Sequence, residues 1–367
     1  MIPLANLARQ HDALAAPLRA AIDEVFARSA FISGPFVERF ERAFSEQLGH
    51  PRARTIGVSN GTAAIALVLE ALGIGRDDEV IIPSHTFAAT AEAVRHVGAT
   101  PVFCDLEEAS YTADPASVAS LVSPRTRAVI PVHINGAPSD IDAIAAALPK
   151  AQKIAIIEDT AQAHLATLRG RPLGTLGIAG TFSFYPAKNL GACGDAGAVV
   201  TVDASLGERV AKLRDHGRAS KYEHDAVGHN HRMDGLQGAI LAVKLAHLRK
   251  WTDRRRALAA AYDARLRPAG FKTIEPHSEG EAVYHLYVVE VSNRDDVQAA
   301  LAASGIATGI HYPLPLHMQP AFRCWAKGAL PRTEHIVQRI VSLPLCPYLT
   351  DDELERIADA FLKVARP

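Results

Sequence analysis

The sequence predicts an α/β protein with a mostly parallel sheet and a smaller α+β unit at its C-terminal end. Short β-rich runs alternate with helical patterns through the first half of the chain, which is typical of parallel strands covered by helices on both faces. The chain has 367 residues, of which 48% are hydrophobic, and this is enough for two compact domains with ample core. From residue 232 to residue 266 the pattern becomes helical and charged, and a mixed unit follows.

The individual elements follow from hydrophobic periodicity and from the turn residues between them. An Ala-rich helical pattern at 17–28 is ended by Ser33-Gly34-Pro35, and a second helix ends near Gly49. The C-terminal unit should contain strands at 283–291 and 307–312, and we predict a large domain of residues 1–245 and a small domain of residues 246–367. In the large domain, strands are predicted at 55–58, 79–83, 100–105, 128–132, 154–158, 180–184 and 197–202, with helices at 62–72 and 88–97.

Composition argues against several classes of partner. The 39 basic and 40 acidic residues give a net charge of -1, so no excess of positive charge indicates nucleic acid or an anionic membrane. The N-terminus lacks the basic start and apolar core of a signal peptide, and no stretch approaches the roughly 18 apolar residues of a membrane helix. The four cysteines lie far apart. We therefore expect a soluble protein with free thiols, in a reducing cytoplasm.

A possible anion site follows the first predicted strand. The segment Ser59-Asn60-Gly61-Thr62-Ala63 opens an apolar helix, so backbone N–H groups and the Thr62 hydroxyl could face a phosphate, helped by the helix dipole. The alternative is an ordinary helix cap made by Asn60 or Thr62.

Two further strand ends carry residues suited to a planar ligand. Phe87, after the strand at 79–83, could lie flat on a heteroaromatic ring, or could be a core residue. Asp159 ends an apolar strand, where its carboxylate could pair with a protonated pyridine nitrogen, and Gln162 could donate to a phenolic oxygen of the same ring. A helix cap and a surface amide are the alternatives for this pair.

Lys188 is the candidate nucleophile. It follows a predicted strand and lies in an apolar, glycine-rich segment, where its charge is poorly solvated and its amine is more easily neutral. A neutral amine could form a Schiff base with an aldehyde and then move a proton between substrate and cofactor. A solvated surface lysine is the default alternative, but Asp159 upstream favours a pyridoxal phosphate site. Ser183 could add a phosphate contact.

The loop before residue 235 contains another polar cluster. Asn230 and Arg232 could reach an anion, whereas His224, His229 and His231 raise the question of a metal site. No carboxylate or thiolate shares the register of these histidines, so we expect no bound metal.

Taken in this order, the motifs closely resemble the DegT/StrS family of nucleotide-sugar aminotransferases, which are fold type I pyridoxal-phosphate enzymes. The resemblance covers nearly the whole chain. It begins with Ile2-Pro3-Leu4 and Phe31-Ile32-Ser33-Gly34-Pro35 and ends with the segment 343–347. It implies that Lys188 is the Schiff-base lysine, that Asp159 contacts the pyridine nitrogen, and that Gln162 contacts the phenolic oxygen. It also implies that Phe87 stacks on the ring and that Gly61, Thr62 and Ser183 hold the phosphate.

The resemblance further implies a homodimer with shared active sites, in which Asn230 comes from the neighbouring subunit to complete the phosphate site. The positions that match the sugar and diphosphate side of such sites are Tyr185, Arg232, His311, Tyr312 and His317.

The implied reaction uses glutamate to load the cofactor with an amino group, which then passes to the keto group of a nucleotide-linked sugar for amino-sugar biosynthesis. The segments 309–313 and 85–87 resemble members that act at sugar C3 more than those that act at C4. Lys188 favours transamination over dehydration, because the dehydratases of this group have histidine at the matching position.

Three alternatives remain open. A cyclitol aminotransferase would share all five motifs and use glutamine with a keto-inositol. A non-catalytic regulator could retain the fold, although Lys188 and Asp159 argue against it. A dinucleotide-binding enzyme would rest only on Gly73-Ile74-Gly75, which follows a helix and lacks the third glycine.

Overall fold

The computed structural model describes residues 1–367 and contains one large sheet, two small sheets and thirteen α-helices. The strands are β1 (Arg54–Val58), β2 (Glu79–Pro83), β3 (Thr100–Cys104), β4 (Thr126–Val129), β5 (Ala155–Asp159), β6 (Thr167–Leu168), β7 (Arg171–Pro172), β8 (Ala179–Ser183), β9 (Gly197–Thr201), β10 (Gly280–Glu281), β11 (Tyr287–Glu290) and β12 (Ile340–Leu343). The helices are α1 (Leu7–Ala13), α2 (Ala15–Arg28), α3 (Pro35–Leu48), α4 (Gly61–Ala71), α5 (Ala89–His96), α6 (Pro115–Ser120), α7 (Ile141–Ala147), α8 (Ala204–Leu213), α9 (Gly235–Leu245), α10 (Leu248–Leu266), α11 (Arg294–Ala303), α12 (Pro331–Ile336) and α13 (Asp351–Val364).

The large sheet has the strand order β1-β9-β8-β5-β4-β2-β3. The neighbouring pairs from β8 to β3 are all parallel, whereas β9 runs antiparallel to both β1 and β8. This confirms the predicted mostly parallel α/β sheet. Because six strands share one direction, their carboxyl ends meet at one edge of the sheet, which is where ligands bind in such folds.

Burial of α4 explains why its sequence is almost entirely apolar. The side-chain oxygen of Asn60 accepts a hydrogen bond from the backbone N–H of Ala63 (2.8 Å), which starts the helix after β1. Leu67, Val68 and Leu69 are almost fully buried in a hydrophobic cluster of 24 residues between the helices and the sheet. The packing fixes the N-terminus of α4 at the carboxyl edge of the sheet.

The C-terminal unit has its own core of 21 buried residues, formed mainly by α10, α11, α13 and the β11–β12 pair. The N-terminal segment joins it, because the backbone N–H of Ile2 donates to the carbonyl of Gly305 (2.7 Å) and Ile2 pairs with Ile306. The proposed division between residues 245 and 246 falls between the end of α9 and the start of α10, and it stays a prediction.

The prediction of a strand at 307–312 was wrong. The partner of β11 is β12, and the segment 307–312 contributes only an isolated bridge between Gly309 and Ser342. Periodicity identified an extended apolar run, but it could not show which run supplies the hydrogen-bonded neighbour. The segment instead contacts the loop after β2, where His85 Nε2 lies 3.0 Å from the carbonyl oxygen of His311 and 3.2 Å from the backbone nitrogen of Tyr312.

Hydropathy places no membrane span in this fold, since none of its helices combines the length and the apolar character needed to cross a bilayer.

Candidate active site

A cavity of about 1180 Å³ opens at the carboxyl edge of the large sheet. Segments that follow β1, β2, β4, β5 and β8 all reach its wall, as expected for a ligand site in a parallel sheet. The cavity brings together nine of the residues singled out from the sequence: Gly61, Thr62, Phe87, Asp159, Gln162, Ser183, Tyr185, Lys188 and Tyr312.

Asp159 is a buried carboxylate with few protein partners. Its Oδ2 accepts a hydrogen bond from the Thr90 hydroxyl (2.9 Å), and its Oδ1 accepts one from the backbone N–H of Ala161 (3.2 Å). Burial raises its pKa above the usual range, although these two donors and the nearby Lys188 oppose the shift. A positively charged ligand group in the cavity would compensate the buried negative charge.

Lys188 lies in the same wall, on the turn that follows β8. Its backbone N–H donates to the carbonyl of Tyr185 (2.8 Å), which closes the turn. The surrounding protein penalises the ammonium form and lowers the pKa of the side chain to about 8, against a smaller opposing effect of Asp159. Near neutral pH a usable fraction of this amine is therefore uncharged and nucleophilic.

The N-terminus of α4 is packed tightly against the end of β8. A Cβ atom on Gly61 would lie 2.8 Å from the Cβ of Ser183, and one on Gly197 would lie 2.4 Å from the carbonyl carbon of Asn60. Asn60 caps the helix, which leaves the Thr62 and Ser183 side chains at the cavity wall. The capping and anion-binding interpretations of this motif are therefore compatible, because different residues serve each.

Phe87 and Tyr312 bound the site on another side. Phe87 is 56% exposed, which argues against a core role, and its ring centroid is 5.8 Å from that of Tyr312. The Gln162 amide donates to the Tyr312 hydroxyl (3.3 Å), and its oxygen accepts from the backbone N–H of Asn135 (2.6 Å). Burial raises the pKa of Tyr312 to about 12, so this group stays a phenol at neutral pH.

These features fit pyridoxal phosphate, which needs an amine for its aldehyde, a carboxylate for its ring nitrogen and a helix N-terminus for its phosphate. A family model described as the DegT/DnrJ/EryC1/StrS aminotransferase family matches residues 13–362. This chain belongs to that family. It is therefore a pyridoxal-phosphate-dependent aminotransferase of fold type I.

Relatives of this aminotransferase match it over nearly its full length. A "dTDP-3-amino-3,4,6-trideoxy-alpha-D-glucose transaminase" of Streptomyces venezuelae is 42% identical, covering 98% of this chain and 95% of the relative. A "Pleiotropic regulatory protein" of Geobacillus stearothermophilus is 40% identical, covering 98% of each. The crystal structure of S. venezuelae DesV in complex with a ketimine intermediate has a TM-score of 0.94 and 41% identity, covering 99% of this chain and 98% of that one.

Two of the predicted ligand-binding residues lie on the loop before α9 and do not line the cavity of the same chain. Asn230 is exposed, and its side-chain oxygen accepts a hydrogen bond from the Arg232 guanidinium (2.9 Å). Arg232 also donates to Asp215 (2.9 Å). Neither residue lines the cavity of its own chain.

Two predicted substrate residues are also absent from the cavity wall. The ring nitrogens of His317 contact the Ser84 hydroxyl (2.7 Å) and the Glu334 carboxylate (3.1 Å), and the side chain is buried. His311 Nδ1 contacts the Ser342 hydroxyl (2.8 Å). The family resemblance implied substrate contacts for both, and this stays a prediction; in this structure the two rings join the 309–317 segment to its neighbours.

Sequence reasoning assigned no role to Thr90, although it lies within the motif that contains Phe87. The only available indication was its position near the start of the helix predicted at 88–97, three residues after Phe87. His164 was also missed: its ring is fully buried, it contacts the carbonyl oxygen of Ser183 (3.0 Å), and burial lowers its pKa to about 3. No sequence feature separated this histidine from the exposed ones.

The histidines near the 228–234 loop have partners other than a metal. His229 pairs with Glu70 (2.6 Å) and its ring stacks on that of His231 at a centroid distance of 5.2 Å. No group of three or more His, Cys, Asp or Glu side chains in the structure is arranged to hold a metal ion.

Proposed function

We propose that this aminotransferase moves an amino group from glutamate to the keto group of a nucleotide-linked sugar, with carbon 3 as the favoured position. The observation that supports it most is the placement of Lys188 and Asp159 in the wall of one cavity of about 1180 Å³, which is large enough for a cofactor and a sugar nucleotide. The S. venezuelae relative is named for a 3-amino sugar carried by dTDP.

Lys188 would supply both the covalent attachment and the proton transfer. Its pKa of about 8 leaves part of the amine neutral near pH 7, so it can attack a carbonyl carbon. The same neutral amine can accept a proton from the substrate carbon and return it, because its pKa is close to the working pH.

Asp159, Gln162 and Phe87 would hold the ring. Pyridoxal phosphate, when bound, supplies an electron sink that stabilises negative charge at the substrate carbon and carries the amino group between the two substrates. Asp159 would keep the ring nitrogen protonated, because the buried carboxylate strongly favours a cationic partner. Phe87 would cover one face of the ring, and the Gln162 amide would donate to its phenolic oxygen.

Phosphate binding would use the N-terminus of α4 with Gly61, Thr62 and Ser183. We propose that the partner subunit's Asn230 completes this site in a homodimer. The supporting observation is that Asn230 and Arg232 lie outside their own cavity, beside a loop whose residues 221–227 are all exposed.

The sugar nucleotide would contact Tyr185 and Tyr312, which line the cavity, together with Arg232, whose charge suits a diphosphate. His311 and His317 would act on this side by shaping the 309–317 segment. We place the reaction in the cytoplasm, since all four cysteines are free thiols.

The test is a pair of half-reactions with the purified protein loaded with pyridoxal phosphate. Adding glutamate should shift the visible absorbance of the bound cofactor and release 2-oxoglutarate. Adding a dTDP- or UDP-linked 3-keto sugar should then restore the original spectrum and yield an amino sugar nucleotide by mass spectrometry. Turnover of glutamine with a keto-inositol, without reaction of any keto sugar nucleotide, would instead identify a cyclitol aminotransferase.

Two variants control the assay. Lys188→Ala should abolish both spectral changes, whereas Lys272→Ala, which removes an exposed lysine outside the cavity, should leave both unchanged. A Lys188→Ala protein that retained full biological activity would favour a regulatory role for this chain.

A further inference from the structure

Thr90 is the only side chain that donates a hydrogen bond to Asp159. Its hydroxyl lies 2.9 Å from Asp159 Oδ2, while Oδ1 is held by the backbone N–H of Ala161. Thr90 itself is almost fully buried and lines the cavity. The Thr86 hydroxyl lies 3.4 Å from the Thr90 hydroxyl, and either oxygen could be the donor.

The turn that leads into α5 links this contact to the cofactor ring. Thr90 is three residues after Phe87, and its backbone N–H donates to the Phe87 carbonyl (3.4 Å), so one turn of backbone connects the side chain that would cover the ring to the donor that holds the carboxylate. Since α5 packs against α4 and the sheet, the position of Thr90 is set by the core.

Asp159 has few other groups that could stabilise its charge. Burial acts against the ionised carboxylate, and the titratable groups that act on it are Lys188 and His133. A hydrogen bond to a buried charge stabilises it more than one to a neutral group does. Removal of the Thr90 hydroxyl would therefore weaken the anion that must face the ring nitrogen.

We propose that Thr90 is a positioning residue that orients the Asp159 carboxylate toward the cofactor's ring nitrogen and thereby sets the affinity for pyridoxal phosphate. The proposal rests on the role of Asp159 given under the proposed function. The role of Thr90 is an addition to that function, because Thr90 would act on the ring only through the Asp159 carboxylate.

The test compares the affinity of two ligands for three variants. Thr90→Val keeps the shape and removes the hydroxyl, Thr90→Ser keeps a hydroxyl, and Thr252→Val is the matched control, since Thr252 is buried and its hydroxyl has no partner. The ligands are pyridoxal phosphate and its analogue with carbon in place of the ring nitrogen, each added to cofactor-free protein in a fluorescence titration. Circular dichroism melting verifies that each variant folds.

Thr90→Val should bind pyridoxal phosphate about 10-fold to 100-fold more weakly, as expected for a lost hydrogen bond to a charged group. It should bind the carbon analogue as the wild type does, and Thr90→Ser and Thr252→Val should stay within about threefold of the wild type, as the small effects of such changes predict. As the pH is lowered, Thr90→Val should lose pyridoxal phosphate at a higher pH than the wild type does, because the Asp159 carboxylate is more easily protonated without the Thr90 hydroxyl.

Equal affinity of Thr90→Val and wild type for pyridoxal phosphate would overturn the proposal, and so would an equal loss for both ligands, which would indicate a structural role. If Thr90→Val does not fold, the affinity of Thr90→Ser for pyridoxal phosphate is the test. A tenfold loss of that affinity despite the retained hydroxyl would contradict the inference. Failure of the role proposed for Asp159 is distinguishable, since the wild type itself would then bind pyridoxal phosphate and the carbon analogue with equal affinity. Failure of the proposed substrates would leave these affinities unchanged and would appear only in the half-reaction assay.

Discussion

Glu158 and Asp159 are neighbouring carboxylates at the end of β5, and their surroundings differ sharply. The Glu158 side chain is fully buried away from the cavity. Its neighbour His133 accepts from the backbone N–H of Ser139 through Nδ1, so Nε2 carries the proton that faces Glu158. The four donors to Glu158 are His133 Nε2 (3.2 Å) and the backbone N–H groups of Gly174 (2.8 Å), Leu176 (2.7 Å) and Gly177 (2.9 Å).

Asp159 has only two donors and faces the cavity. The two residues diverge because successive side chains of a strand point to opposite faces of the sheet. The carboxylate whose acceptors are saturated joins the 174–177 turn to the sheet, and the carboxylate that retains free acceptor capacity faces the cavity. At the end of β5, the buried carboxylate that the protein leaves incompletely paired is therefore the candidate for binding a charged ligand group.

The largest expected effect comes from Asp159→Asn, which removes the charge and keeps the shape. We expect kcat/KM for the glutamate half-reaction to fall by about 10²–10³-fold, a range typical for loss of one preorganised electrostatic group. Thermal stability should not decrease, because the substitution relieves a poorly paired buried charge. A stopped-flow measurement of the absorbance change and a melting curve test this, and an unchanged rate would refute the assigned role.

The matched change, Glu158→Gln, should lower stability more than activity. An amide cannot accept from all four donors, so we expect the free energy of unfolding to fall by about 1–3 kcal/mol. Loss of activity at a temperature well below the melting point should be smaller than for Asp159→Asn. Denaturant unfolding of both variants measures the stability, and the glutamate half-reaction measures the activity. A larger loss of activity for Glu158→Gln than for Asp159→Asn would contradict the roles assigned to the two carboxylates.

A pH titration tests the environment of Lys188. Because burial lowers its pKa to about 8, the neutral fraction of the amine should rise about tenfold per pH unit below pH 8 and level off above it. The rate at which cofactor-free protein captures pyridoxal phosphate, followed by absorbance, should show the same profile. A rate that keeps rising toward pH 10.5 would indicate a solvated lysine.

The smallest expected effect is that of Phe87→Ala. Since this side chain is 56% exposed in the cavity, its removal should cost little stability. Loss of its contact with the ring should weaken cofactor binding about 2-fold to 10-fold, as aromatic pairs contribute roughly 0.5–1.5 kcal/mol. Fluorescence titration measures the affinity, and a drop in melting temperature larger than about 5 °C would show instead that Phe87 is a core residue.

Much of the site was predictable because it is encoded locally. Asp159, Lys188 and Gly61 each follow a strand whose hydrophobic run is clear in the sequence, and parallel strands necessarily bring those ends together. The assignment of the cap to Asn60 was not predictable, since Asn60 and Thr62 are both suitable residue types. Nor was the Thr90 hydroxyl bond to Asp159, which joins residues 69 positions apart.

The sequence by itself determined the α/β class, the order of most strands and helices along the chain, and the chemical types of the groups at the strand ends. Only the tertiary structure decided that β9 is antiparallel, that β12 and not 307–312 pairs with β11, and that Glu158 is saturated while Asp159 is not. The reason is that hydrophobic periodicity and turn chemistry act over a few residues. Strand pairing and the satisfaction of a buried charge depend on which distant segments the whole core brings into contact.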